Sequence, residues 1–248
     1  MTFEPYSFLM IASIMLALVL SGSVKGVFGI GFPVVAMAIL PLFITPISAI
    51  TVIALPIVVT NIQQLFSEKE WRQIIIKYRY MALFMLLASF LSSQILTQIS
   101  VDLITAIIGF ALALFAIYSL FNFTLPITTH SSWQIIAGAS SGLLSGMTGI
   151  QSTAIIYFAS LDISRNEFVG AVGYIFLVGG LGLSIGLINN SLLNSSTVMI
   201  SLFGVLFSVV GFKLGSLLRP YIHSELFKKL LFLLMLIIGM KQIYQFFW

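Results

Sequence analysis

The stretch Gly22-Ser-Val-Lys-Gly-Val-Phe-Gly-Ile-Gly-Phe-Pro33 (GSVKGVFGIGFP) puts four glycines, a lysine and a proline between two apolar runs. Alone, it reads either as a helix-packing motif or as a degenerate phosphate loop. The phosphate loop fails on context: the spacing is not GxGxxG, no strand pattern precedes it, and no acid follows about 20 residues on. What decides the reading is an echo. Gly22-x-x-x-Gly26-x-x-Gly29-Ile30 recurs as Gly142-x-x-x-Gly146-x-x-Gly149-Ile150, at a constant offset of 120 residues. Further on, Ser89-x-x-x-Ser93 is matched by Gly211-x-x-x-Gly215 at an offset of 122. Small residues are common in membrane helices, so one match would mean little. Two in the same order at nearly the same offset indicate a duplication.

The flanking sequence is membrane sequence. Of 248 residues, 60% are hydrophobic and 7% charged, and the mean hydropathy is +1.15. A soluble domain carries about 25% charged residues. Apolar length and breakers delimit segments at 6–24, 33–44 (short), 47–66, 78–97 and 102–122, then 132–147, 152–161 (short), 166–188, 197–218 and 226–247. The short member is second both times. The first run has Glu4 in place of a basic n-region and is too long for a signal h-region, so it reads as a span.

Loop charge orients the halves. The loop 67–79 holds Lys69, Arg72, Lys77 and Arg79, whereas its counterpart 189–197 holds no Lys or Arg. One loop later the bias reverses: 97–102 has none, and 219–229 has Arg219, Lys228 and Lys229. Equivalent loops of opposite bias are what two copies inserted in opposite senses produce. The sequence therefore predicts an all-α polytopic integral membrane protein. It would comprise two inverted repeats, residues 1–125 and 126–248, of four to five helical segments each, with a broken or re-entrant short helix in both. Counting from a cytoplasmic 67–79 loop puts 122–132 and 161–167 inside and both termini outside.

Chemistry is narrow in such a chain. It has no cysteine and two distant histidines, which removes disulfides, thiolate metal sites and most metal chemistry, and no cofactor is expected. The net charge of +4 sits in loops beside spans, so it reports orientation and not nucleic-acid binding. In repeat-built carriers substrate sits where helices break, because a half-helix start offers free N–H groups and the positive end of its dipole. Two such starts are expected: Gly29, Ile30, Gly31 and Phe32 before the Pro33-led segment, and Thr148, Gly149, Ile150, Gln151 and Ser152 before its counterpart. Opposed, they would cradle an anion. Gly22, Gly26, Gly142 and Gly146 read instead as packing residues.

Other residues carry two readings. Lys25 either faces a ligand or snorkels to the cytoplasmic interface. Asn61 and Gln64, three apart on segment 47–66, either donate to an oxyanion or cap helices and bond across them. Tyr174 on 166–188 is their counterpart, with an interhelical hydroxyl as its plainer role. Asp162, Arg165 and Glu167 form either an ordinary ion pair at a helix boundary or a cytoplasmic gate.

With its glycine-rich break after the first span, its proline-led short segment and a second copy opening the second half, the chain resembles the sulfite exporter TauE/SafE family over nearly its whole length. The resemblance implies a bacterial inner-membrane carrier of sulfite or organosulfonates, with a small anion and the bilayer as partners and room for a homodimer. The family often shows three glycines in a row after the break. This chain has Gly29-Ile-Gly31-Phe-Pro and Gly149-Ile-Gln151-Ser-Thr, which leaves substrate and direction open. Every Asp and Glu falls at a terminus or in a predicted loop, with Asp102 near a span start. That argues for export driven by the membrane potential; an ion-coupled importer on the same scaffold is the alternative. Intramembrane catalysis would need placed acids, bases or nucleophiles, and Lys25 near Ser23 is the only such proximity.

Overall fold

The computed structural model describes residues 8–121, 125–218, 221 and 224–248, and among these the regular structure is all helix, without strands. Glu4, Tyr6 and Arg219, and the side chain of Lys228, lie outside the described residues. The elements in order are α1 (Phe8–Phe28), α2 (Phe32–Ile39) continued by a short 3-10 turn (Leu40–Leu42), α3 (Pro46–Phe66), α4 (Trp71–Lys77), α5 (Arg79–Ser93) and α6 (Val101–Phe121). There follow α7 (Ser131–Thr148), α8 (Ser152–Ala159), α9 (Arg165–Asn189), α10 (Ser195–Leu218) and α11 (Ser224–Phe247). Among the described residues six helices are long and apolar enough to span a bilayer, and the α4–α5 pair, bent by 72°, makes a seventh candidate. The chain is an all-α polytopic membrane protein.

The helix starts follow their sequences. Thr45 accepts from Ser48 N–H at 3.3 Å and Pro46 occupies the first position of α3. Ser164 accepts from Glu167 N–H at 3.2 Å to begin α9, and Glu167 sits where a capping-box acid is expected. Inside α3, Pro56 has no N–H for the carbonyl of Val52. Ser201 of α10 donates to that carbonyl at 3.0 Å and accepts Leu55 N–H at 3.2 Å, so a neighbouring helix supplies what the proline withholds.

Two boundaries differ from the sequence expectation. Residues Gly22 to Phe28 continue α1, and the break is confined to Gly29, Ile30 and Gly31, because Gly22 and Gly26 face the α10 backbone and that close packing overrides their weak helix propensity. The expected loop 67–79 is largely α4, a short helix that turns sharply into α5 at Tyr78.

Packing is by helix pairs from opposite halves. α1 lies on α10 and α5 on α7; α3 lies on α9 and α6 on α11; α5 also packs on α9, and α10 on α3. Without a hydrophobic force between helices in lipid, such pairs depend on close van der Waals approach. A Cβ on Gly26 would collide with backbone atoms of Phe212, Gly215 and Ser216, and one on Gly215 would collide with the Ser23 backbone. Across the other pair, a Cβ on Gly142 would lie 2.7 Å from Met85 O, and one on Gly146 would collide with Ser89 and Ser92. The two sequence echoes are thus the two sides of one type of contact. Gly22 and Gly26 meet the Gly211/Gly215 helix, and Gly142 and Gly146 meet the Ser89/Ser93 helix.

The loops sort to two ends. At one end Lys77 pairs with Glu167 at 2.6 Å, Gln134 Nε2 donates to Lys77 O and Thr129 O, and Tyr157 Oη donates to Thr128 O. At the other, Asn189 Nδ2 donates to Gln94 Oε1 at 2.6 Å, and a cavity of about 680 Å³ is lined by Pro41, Pro46, Asp102, Lys241 and Trp248. Residues 67–79, 125–132 and 161–167 share the first end; 44–46, 97–102 and the C-terminal residues share the second.

Candidate functional site

Both short helices begin at chain reversals, the first partly exposed at Gly29 and Ile30 and the second buried. Gly29 and Gly31 have φ of +80° and +100°, and Gly149 has +72°, the left-handed region that glycine enters without steric cost. Gly31 caps α2 and Gly149 ends α7. Neither reversal could be closed as sharply by a residue with a Cβ.

Lys25 lies in the last turn of α1, beside the first reversal, and is 2% exposed. It does not snorkel. Its Nζ donates to Asn61 Oδ1 at 2.7 Å and to Thr60 Oγ1 at 3.1 Å, both on α3. The acceptors have fixed orientations, since the Thr60 hydroxyl donates to Pro56 O at 2.7 Å and the Asn61 amide donates to Ile57 O at 2.7 Å. An ammonium has three protons, and among the described residues only these two acceptors hold it. Lys25 is also the one charged side chain buried among the described residues. Thr60 was not singled out in the sequence. Its position immediately before Asn61 on one helix face was the available signal.

The second reversal is lined by neutral polar groups. Gln151 is fully buried, its Nε2 donating to Ser145 Oγ at 3.1 Å and weakly to Phe176 O at 3.4 Å. Its Oε1 has no partner, nor has Ser152 Oγ, also fully buried, at the first residue of α8. Thr148 Oγ1 accepts from Ile150 N–H, and Ser141 Oγ accepts from Ala154 N–H. Ser145, the counterpart of Lys25 in the repeat, thus serves Gln151.

α3 and α9 run past both reversals. Gly149 packs on Ile53 and Ile57 of α3, one turn from the Thr60 and Asn61 that hold Lys25. On α9, a Cβ on Gly29 would lie 3.5 Å from Val169 Cγ2, and Gln151 reaches Phe176 seven residues on, or about 10 Å along the axis. The two starts are therefore offset along the bundle as two polar stations.

The remaining residues fall outside this pair of stations. Gln64 Nε2 donates across the bundle to Val169 O at 2.7 Å, the between-helix role, and leaves its own Oε1 unpartnered. Tyr174 is half-buried and packs against the apolar core. The expected Asp162, Arg165 and Glu167 cluster resolves differently: Glu167 takes Lys77 Nζ and Tyr78 Oη, each at 2.6 Å, from the α4–α5 bend.

A helical bundle of spans, with two short helices starting at polar reversals and an internal lysine beside one of them, has the build of a membrane transporter. The sulfite exporter TauE/SafE family model matches residues 14–242, and the chain belongs to that family. It is a membrane transporter of the sulfite-exporter type. No curated protein and no solved structure matches the chain significantly.

Proposed function

We propose that the chain exports a small sulfur oxyanion or organosulfonate across a bacterial inner membrane by alternating access, with the anion passing the two helix reversals. The first station comprises Lys25, Gly29, Ile30, Gly31 and Phe32, with Asn61 and Thr60 holding the lysine. The second comprises Thr148, Gly149, Gln151 and Ser152. Gln64 and Tyr174 shape the α3 and α9 walls.

The observation that carries this reading is Lys25: a cation withdrawn from water, held by neutral acceptors and facing no carboxylate among the described residues. Burying an unpaired charge is costly. A transported anion supplies the missing counter-charge.

The halves 1–125 and 126–248 are proposed as inverted repeats that exchange roles. In support, swapping the halves turns the α1–α10 pair into α7–α5, and α5–α9 into α10–α3, while α3–α9 and α6–α11 map onto themselves. Moving one negative charge out of an inside-negative cell releases about 2.3 kcal/mol per 100 mV, so export needs no coupling ion. The test is sulfite efflux from proteoliposomes under an imposed potential, with Lys25→Met and Lys25→Arg compared.

A second reading, an importer coupled to Na⁺, is favoured by the unpartnered acceptor Gln151 Oε1 beside two hydroxyl-bearing residues. Uptake that requires Na⁺ and is lost in Gln151→Leu would select it.

A further inference from the structure

We propose that the Lys25 station selects singly charged oxyanions, bisulfite and alkylsulfonates, over dianions such as sulfate, thiosulfate and fully deprotonated sulfite. The inference rests on the transporter reading and adds the charge state of the species carried.

Charge counting supports it. Lys25 is the one buried charged side chain among the described residues, and its two partners, Thr60 and Asn61, are neutral. They take two ammonium protons and leave the third for the ligand. The elements packed against α1 add no second cation to the station. α2 and α3 carry no Asp, Glu, Lys, Arg or His, and Lys213 of α10 is exposed. On α9, which approaches the reversal at Val169, Arg165 is exposed at the helix start, Glu167 is negative and already paired with Lys77, and Tyr174 is neutral.

A monoanion beside Lys25 therefore makes a neutral pair. A dianion leaves one uncompensated negative charge in a low-dielectric interior. The solvation cost of an ion rises with the square of its charge, and the α2 start contributes only about half a positive charge. Monoanionic and dianionic sulfur oxyanions have similar size and the same acceptor atoms, so charge is the property that this station can separate.

The second station fits the same limit. Ser145, Gln151 and Ser152 are buried and uncharged, so nothing there neutralises a second charge after the anion leaves Lys25.

The experiment is ligand-induced thermal stabilisation and calorimetric binding on the purified full-length protein in detergent. The probes are methanesulfonate, which stays a monoanion, sulfate and thiosulfate, which stay dianions, and sulfite, which changes charge state around neutrality. Methanesulfonate is expected to bind at least about tenfold more tightly than sulfate or thiosulfate. Sulfite affinity is expected to fall relative to that of methanesulfonate between mildly acidic and mildly alkaline buffer, as bisulfite is depleted. Asn61→Asp, which gives the lysine a permanent partner, is expected to remove methanesulfonate binding from a protein that is folded and at least as heat-stable. Sulfate or thiosulfate binding as tightly as methanesulfonate, or sulfite binding more tightly in alkaline buffer, overturns the selection while leaving the transporter reading intact. Failure of all four anions to bind overturns both.

Discussion

The Nζ of Lys25 lies 2.7 Å from Oδ1 of Asn61, joining the last turn of α1 to α3 in a place where neither side chain is more than 2% exposed. Asn61 can only accept there, because its own amide donates to Ile57 O. The lysine is thus positioned without being neutralised. Asn61→Leu should leave a lysine with one acceptor, lower thermal stability by about 1–3 kcal/mol, and weaken anion binding. Thr60→Val should do the same to a lesser degree, since its 3.1 Å bond is the longer. Thermal melts with and without anion check both.

The two kinds of glycine predict two kinds of failure. Gly26→Ala puts a Cβ into backbone atoms of α10, which no rotamer change relieves, so the α1–α10 crossing must open. The expected cost is on the order of 3 kcal/mol, seen as poor yield and a low melting temperature. Gly31→Ala meets only Val24 Cγ1 at 3.4 Å, and its penalty is the +100° φ, about 1–2 kcal/mol. That protein should fold and transport slowly. Yield and flux measured side by side separate the cases.

How far the sequence could be read follows from the same residues. Gly22 and Gly26 were legible as packing residues because their echo at 142 and 146 had a second echo, Ser89/Ser93 against Gly211/Gly215, and these are the surfaces that meet. The family was legible for the same reason. The end of the break was not. Glycine weakens helix locally, and only the approach of α10, a tertiary fact, keeps Gly22 to Phe28 helical. The direction of Lys25 was equally hidden, because snorkelling and burial share one sequence and differ only in what α3 presents. The offset of the two starts along α9 depends on helix lengths and tilt, to which composition is blind. Glu167 was expected to act within its own loop, and its partners came from a bend at Tyr78 that an apolar run does not announce.

Glu167 ties α9 to the α4–α5 bend through Lys77 and Tyr78 at the end bearing the basic loop. The ion pair is substantially exposed, so its contribution to stability is on the order of 1 kcal/mol or less. Glu167→Gln should therefore melt close to the wild type while opening this end more often. The chain contains no cysteine, so a single Ser164→Cys reporter gives a clean thiol-labelling rate. The rate should rise in Glu167→Gln.

Sidedness has its own test. By the basic 67–79 segment, the end shared with Thr129 is expected to be cytoplasmic. An impermeant maleimide applied to intact cells should label Asn190→Cys and not Thr129→Cys, with the pattern reversed in inside-out vesicles.

The central claim is that Lys25, the one charged side chain buried among the described residues, supplies the positive charge on the path of an anion driven out by the membrane potential. Its most direct test is efflux of methanesulfonate from proteoliposomes as a function of an imposed inside-negative potential, for wild type and Lys25→Met of matched folding. The account predicts efflux that accelerates with the potential in the wild type and falls to the protein-free level in Lys25→Met. Efflux from Lys25→Met at the wild-type rate, or wild-type flux indifferent to the potential, would contradict it.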